Sequence, residues 1–220
     1  MTLRALFLLL LLPLVASCGT GGRKDMNAAD EAARNIRPTV MSFSDMTFTP
    51  LALPGHYTAD VTAADPVFDF GSGNISYFKA FELPVHHETY IFETISDWYH
   101  YDCYPCSTGF FYAHIQFLDA DKQPVAPPTM IGPEILDKPE EPIRRHLSAV
   151  VSPESDVRYA VVYTTTADAN KDEWFKYGGP TMAAGGGFFI TVPYQLIELH
   201  GTPVGVMNVS LRTAKGGVTP

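Results

Sequence analysis

The chain has 220 residues, of which 46% are hydrophobic and 18% are charged, and its formal net charge is −9. This length and composition are typical of a globular chain with one or two small domains. The excess of acidic residues argues against binding to nucleic acid or to an anionic membrane surface, because both repel a negatively charged domain. We therefore expect no nucleic-acid partner.

The N-terminal segment is typical of a bacterial lipoprotein export signal. Arg4 supplies one positive charge, residues 5–15 form an apolar run, and two small residues then precede Cys18. This ending resembles the lipobox, at which the signal is cut and the cysteine is acylated. The apolar run is about half the roughly 20 residues that a membrane span needs. We predict that residues 1–17 are a signal peptide and that Cys18 carries the lipid.

The same motif predicts where the protein is located. Gly19 follows Cys18, whereas an aspartate at that position is the familiar signal for retention in the inner membrane. We therefore expect an outer-membrane protein that is anchored by lipid and faces the periplasm. Because two acyl chains already give stable anchoring, the lipid alone suffices as the membrane contact.

We expect four segments, of which the signal peptide is the first. The signal peptide is followed by a lipidated tether over residues 18–40, which includes a short helix at Ala28–Ile36. Residues 41–212 are expected to form one β-sandwich domain, and residues 213–220 a flexible tail. The glycine-rich and polar start of the tether is typical of a flexible linker.

Apolar residues alternate with period two in several segments that are bounded by proline or glycine turns, which indicates half-buried strands. These segments are Ile75–Leu83, His87–Ile95, Phe111–Phe117, Ile143–Val151 and Met207–Leu211. Arg158–Thr165 is apolar and β-branched on both faces, as expected of a central strand. Together they predict a mainly β fold, an antiparallel β-sandwich of jelly-roll-like form.

One short helix is expected near residues 168–177. Asp168, Asn170 and Asp172 imitate the start of an EF-hand loop, but the glycine and the bidentate glutamate that this loop needs are not at their positions. Acidic residues are favourable in the first turn of a helix, so we interpret them as a solvated helix N-terminus. The glycine-rich segment 178–187 lacks the features of a phosphate-binding loop, and we interpret it as a flexible connection.

Residues 110–211 contain a series of strand and turn patterns in a fixed order. They are Phe117-Leu118-Asp119 with Pro124, Leu147, Val151-Ser152-Pro153, Tyr159–Thr165, the acidic segment Asp168–Asp172, Gly185–Gly187, Pro193, His200 and Gly205. This series resembles the maltose-operon periplasmic protein (MalM) family. The resemblance implies a periplasmic, non-catalytic protein associated with carbohydrate uptake, and it carries over no catalytic residue. The chain departs from the family by having a lipobox and a CxxC pair.

The densest aromatic stretch lies between two predicted strands, and we expect it to be a loop. Its four rings are Trp98, Tyr99, Tyr101 and Tyr104. Aromatic rings in a surface loop can stack on a sugar or bury against a protein partner, so we predict this loop as the binding surface. The alternative is a lid whose rings are buried on the sandwich core. The next candidates are Trp174, Phe175 and Tyr177.

Cys103 and Cys106 form a CxxC motif, for which three interpretations remain open. A redox pair needs its first cysteine at a helix N-terminus, whereas a strand is predicted downstream. A metal site would recruit His100, with a fourth ligand from one of three other histidines, His86, His87 or His114. A structural disulfide is favoured, because these are the only cysteines besides Cys18 and export places them in an oxidising compartment. A bridge closing so short a loop implies only about 2 kcal/mol of stabilisation.

The sequence shows no GxSxG, HExxH or paired-carboxylate motif. Arg144–His146 is interpreted as a surface segment that forms ion pairs with Glu140–Glu141. We therefore expect no enzyme and no metal or other cofactor, but an envelope lipoprotein that assists maltose or maltodextrin uptake by binding a glycan or an envelope protein. The alternative is a thiol- or metal-dependent periplasmic enzyme centred on His100, Cys103 and Cys106.

Overall fold

The computed structural model describes residues 36–97, 108–136, 143–177, 181–185, 188–192 and 195–214. Within these ranges the structure is mainly β, and the only helical segments are two short 3₁₀ turns, Phe43–Asp45 and Asp168–Asn170. No helix in them has the length and apolar character needed to cross a membrane. The mainly β fold class expected from the sequence is confirmed.

The described part of the chain contains fifteen strands. In chain order they are β1 (Thr49–Pro50), β2 (Gly55–Thr58), β3 (Val67–Asp69), β4 (Ile75–Glu82), β5 (Tyr90–Asp97), β6 (Thr108–Phe110), β7 (His114–Leu118), β8 (Thr129–Leu136), β9 (Arg144–Val151), β10 (Tyr159–Tyr163), β11 (Asp172–Tyr177), β12 (Thr181–Gly185), β13 (Phe188–Val192), β14 (Gln195–Gly201) and β15 (Met207–Thr213). The strands expected at Ile75, His87, Ile143 and Met207 are thus confirmed as β4, β5, β9 and β15, with bounds shifted by up to three residues.

Two five-stranded sheets form the body of the molecule. The first has the order β1–β4–β10–β7, with β3 also paired to β4, and the second has the order β2–β15–β5–β9–β8. Their inner faces share one core, in which the ring centroid of Phe92 lies 6.4 Å from that of Phe81 and 6.2 Å from that of Phe117. Each such fully buried side chain stabilises the fold by roughly 1.5–3 kcal/mol. The two mostly antiparallel sheets pack as the predicted β-sandwich.

Strand β10 lies between β4 and β7 and is buried on both faces. Ala160 and Val162 belong to the core between the two large sheets, whereas Val161 packs with Phe78 and Leu118 in a second cluster on the outer side of the first sheet. Ala160, Val161 and Val162 are each 0% exposed. The prediction of a central strand from its two apolar faces is confirmed.

A third, smaller sheet has the order β11–β14–β6, in which β11 is antiparallel and β6 is parallel to β14. Strands β12 and β13 pair with each other and with no other described strand. Along the chain this hairpin lies between β11 and β14, with Tyr177 paired to Gln195 and Thr181 to Val192.

The helix expected over Asp168–Tyr177 is wrong. Only Asp168–Asn170 are helical, as a 3₁₀ turn, and the residues from Asp172 onward form β11. All six β11 residues pair with β14, and Phe175 packs in a cluster on one face of this ladder. Acidic residues followed by apolar ones suit a helix locally, but the partner strand supplies backbone hydrogen bonds and apolar contact that override this preference.

Two further expectations need correction. Segment 178–187 is not simply a flexible connection, because its residues 181–185 form β12. The strand expected over Phe111–Phe117 begins only at His114; Phe111–Ala113 link β6 to β7 and are buried. The backbone changes sheets at this link, since β6 belongs to the small sheet and β7 to the first large sheet.

Candidate functional site

The site residues proposed from the sequence lie outside the described ranges. They are Cys18, Trp98, Tyr99, His100, Tyr101, Cys103, Tyr104 and Cys106. The predicted lipid site, disulfide and aromatic binding surface therefore stay predictions. Of the three other histidines considered as metal ligands, His114 contacts Asp168 and His86 contacts the backbone of Glu88.

The structure does describe the strands on both sides of the aromatic segment. Strand β5 ends at Asp97, and β6 begins at Thr108. Strand β6 is an edge of the small sheet, where Thr108 is the register partner of Leu199 and Gly109 that of His200. The chain that leaves the aromatic segment thus enters the small sheet directly beside β14.

One face of the β11–β14 ladder is open to solvent, and we call it the Trp174 face. It consists of Asp172, Trp174, Leu196, Glu198 and His200. Register places Asp172 opposite His200 and Trp174 opposite Glu198, and cross-strand partners project from the same side of a sheet. Both Trp174 and Leu196 are large apolar residues, and each is 62% exposed.

The polar residues of the Trp174 face surround one imidazole ring. The Nδ1 atom of His200 lies 2.6 Å from Oδ1 of Asp172, and its Nε2 atom lies 3.7 Å from Oε2 of Glu198. The side chain of Asp172 is 62% exposed and that of Glu198 is 39% exposed, so a solute can reach both carboxylates. The arrangement combines an apolar platform, hydrogen-bond acceptors and a ligand set of the type that binds metal ions.

The opposite side of β11 carries a second polar cluster, the Tyr112 junction, which consists of Tyr112, Arg145, Lys171 and Glu173. The Tyr112 ring lies between two cations, with the Arg145 guanidinium carbon and Lys171 Nζ each 5.1 Å from its centroid. The Tyr112 hydroxyl donates a hydrogen bond of 3.1 Å to Glu173, which also pairs with Lys171 at 3.0 Å. Arg145 Nη1 donates to the carbonyl of Ala113 at 3.1 Å. These contacts join β9 of the sandwich to β11 of the small sheet.

Asp168 lies beside the junction and fixes the 3₁₀ turn. Its Oδ2 atom accepts hydrogen bonds from His114 Nε2 at 2.6 Å and from the Thr165 hydroxyl at 2.7 Å. Gly201 of β14 packs against this turn so closely that a Cβ atom there would stand 1.7 Å from the Asp168 carbonyl oxygen. The turn and the small sheet are therefore in direct backbone contact at a position that only glycine fits.

The Tyr112 junction and Asp168 perturb one another's ionisation. Burial raises the pKa of Tyr112, and the nearby Glu173 carboxylate raises it further. Burial lowers the pKa of Arg145, although the surrounding acidic groups oppose this effect. Burial would raise the pKa of Asp168, but the hydrogen bonds that it accepts outweigh burial and lower it. The pKa of Glu173 is lowered chiefly by its hydrogen bond from Lys171.

Clustered pKa shifts occur in catalytic sites and also in structural ion-pair networks. Here the structural interpretation is better supported, because Tyr112 is only 3% exposed and its ring is covered by two cations. No described serine, threonine or cysteine is hydrogen-bonded to the second ring nitrogen of His114, which a nucleophile activated by the His114–Asp168 pair would require. The junction holds the small sheet in place.

Glu140 and Glu141, the ion-pair partners expected for Arg144–His146, lie outside the described residues, so those pairs stay a prediction. The described contacts of this segment run to β5. Arg144 Nε pairs with Asp97 at 2.8 Å, and His146 Nδ1 lies 3.3 Å from Glu93, so both contact β5. Arg145 projects from the other face of β9 into the Tyr112 junction, because neighbouring residues of a strand point to opposite sides. Arg145 is therefore a partly buried member of the Tyr112 junction.

Comparisons of the chain with protein-family models, with curated proteins and with solved structures find no match. The resemblance to the maltose-operon periplasmic protein family stays a prediction. Function must therefore be inferred from the chemistry of the exposed residues.

Sequence reasoning found Trp174 as a secondary candidate but missed its polar neighbours. The helix expected over Asp168–Tyr177 would not bring Asp172 to face His200. The signal was present in β14, where Leu196, Glu198 and His200 recur at period two. That alternation identifies an exposed strand face only once the partner strand is known.

Proposed function

We propose that this protein is a non-enzymatic envelope lipoprotein that binds a carbohydrate on the Trp174 face and assists carbohydrate uptake. The observation that carries the proposal is the 62% exposure of Trp174 beside two carboxylates and an imidazole. Trp174 and Leu196 are both exposed on one sheet face and are bordered by polar groups, and an exposed apolar patch with a polar rim is typical of a surface that a ligand covers.

The chemistry of the face suits a sugar. The indole of Trp174 and the side chain of Leu196 offer a flat apolar surface to the C–H groups of a pyranose ring. Asp172 and Glu198 can accept hydrogen bonds from sugar hydroxyls, and His200 can donate or accept one. A neutral ligand also suits an acidic protein, which repels anionic partners.

The sequence supports the location and the role. The lipobox-like ending at Cys18 favours an outer-membrane lipoprotein that faces the periplasm, where maltodextrins and similar glycans pass during uptake. The resemblance to the maltose-operon periplasmic protein family favours the same process. The aromatic segment 98–107 is followed directly by β6 of the small sheet, so its rings are candidates for an extended binding surface.

The test compares the wild-type mature chain with Trp174→Ala, with calorimetric titration of maltodextrin and a glycan array as readouts. We expect the variant to lose at least about tenfold in affinity, the equivalent of 1.4 kcal/mol. Its melting temperature should change little, since a surface substitution alters stability by no more than about 0.5 kcal/mol. Met41→Ala removes an apolar side chain that is 79% exposed elsewhere, and it is the matched control.

Unchanged affinity in Trp174→Ala would place the binding surface elsewhere and overturn the assignment. The absence of any glycan that binds the wild-type chain would overturn the carbohydrate proposal. Loss of an envelope protein partner in Trp174→Ala, without glycan binding, would show that the face binds protein instead.

A further inference from the structure

We infer that Asp172, Glu198 and His200 bind one zinc ion on the Trp174 face. The inference deepens the proposed function, because it concerns the same face, but the ion can be measured without any glycan. Failure of one proposal is therefore distinguishable from failure of the other.

The geometry brings three ligand atoms together from two strands. One atom from each residue lies within 4.8 Å of the other two. His200 and Asp172 are register partners, and Glu198 precedes His200 by two residues on the same strand face. Asp172 approaches Nδ1 of the ring and Glu198 approaches Nε2. One zinc ion takes a single ring nitrogen, so the exposed carboxylates must rotate toward that nitrogen for all three residues to bind the ion.

The charge of the face also favours a cation. Two carboxylates flank one imidazole, and Lys171 is engaged with Glu173 on the other side of the ladder. No lysine or arginine among the described residues is paired with Asp172.

The ligand types select the ion. Calcium and magnesium prefer sites made of oxygen atoms alone, whereas an imidazole with two carboxylates suits zinc. Three protein ligands leave the fourth position of zinc open to water or to another ligand. The 2.6 Å contact between His200 Nδ1 and Asp172 already orients the ring. In this contact a hydrogen lies between Nδ1 and the carboxylate, at the position that the ion would take. Zinc binding then displaces that hydrogen.

The experiment titrates zinc chloride into the purified mature chain in the absence of glycan. We expect about one zinc ion per chain, and a loss of affinity of more than about tenfold in His200→Ala and in Asp172→Asn. His56→Ala is the matched control, because His56 is exposed and, among the described residues, belongs to no cluster of this kind. A Cys103→Ser/Cys106→Ser variant should keep the site, which separates it from any zinc bound by the CxxC motif.

Circular dichroism of His200→Ala establishes that the variant is folded. Zinc binding that survives in folded His200→Ala, or that disappears in Cys103→Ser/Cys106→Ser alone, would overturn the inference. So would a wild-type chain that binds calcium but no zinc. A fall in zinc affinity confined to the His200 and Asp172 variants would support it, whether or not a glycan binds.

Discussion

Replacing Arg145 by methionine tests whether the Tyr112 junction holds the small sheet to the sandwich. Methionine keeps an unbranched apolar stem of similar reach but removes the charge and the donors. The change deletes the hydrogen bond to the Ala113 carbonyl and the contact of the guanidinium with the Tyr112 ring. It also leaves Asp168 and Glu173 without a cation that interacts with both of them.

The expected magnitude follows from these contacts. A hydrogen bond from a charged donor contributes about 1.5–3 kcal/mol, and a partly desolvated cation–π contact contributes about 0.5–2 kcal/mol. We therefore expect the free energy of unfolding to fall by about 2–5 kcal/mol in Arg145→Met. For a domain of this size each kcal/mol shifts the melting temperature by about 2–4 °C, so the fall should be about 4–20 °C.

Thermal and urea unfolding of the mature chain, followed by circular dichroism, measure the change. Arg212→Met is the control, because Arg212 is an exposed strand residue and its loss should shift the melting temperature by no more than about 2 °C. If Arg145→Met melts together with Arg212→Met, the junction contributes little and our account of how the small sheet is held is refuted.

Two further predictions concern acid stability and the anchor. Because the folded state lowers the pKa of Asp168 and of Glu173, their contribution is present at neutral pH and is lost as the pH falls through the range below about 4. Asp168→Asn should therefore show a smaller fall in melting temperature between pH 5 and pH 3 than the wild type, and parallel profiles would contradict this. Cys18→Ser should prevent acylation and remove the protein from the outer-membrane fraction. Unchanged fractionation together with retained acyl label would show that another residue is the anchor.

The strands of the sandwich were predictable because burial on one face leaves a period-two pattern. In β15, Met207, Val209 and Leu211 are buried while the residues between them are partly exposed. In β10 the absence of polar residues on either face predicted a central position. These patterns depend only on which side of a strand meets the core, so they are visible in one segment at a time.

The candidate site was only partly predictable, because its residues come together only when β11 pairs with β14. Nothing local in Asp172–Tyr177 distinguishes a helix from a strand, since acidic residues suit a helix start and aromatic residues suit either structure. Pairing with β14 makes this segment a strand and puts Asp172 beside His200, which is 28 residues away in the sequence. The same applies to Arg145, since nothing in the sequence of its neighbours Arg144 and His146 shows that Arg145 projects toward the small sheet.

The sequence by itself determined the mainly β class, the positions of the main strands and the prediction of a lipid-anchored envelope protein. Each of these depends on short-range patterns: alternation, turn residues and the ending of an apolar run. Only the tertiary structure decided that a third sheet exists, that β6 joins it beside β14, and that Trp174 shares an exposed face with Asp172, Glu198 and His200. These facts depend on which distant strands pair, and strand pairing is set by the burial and hydrogen bonding of the whole chain.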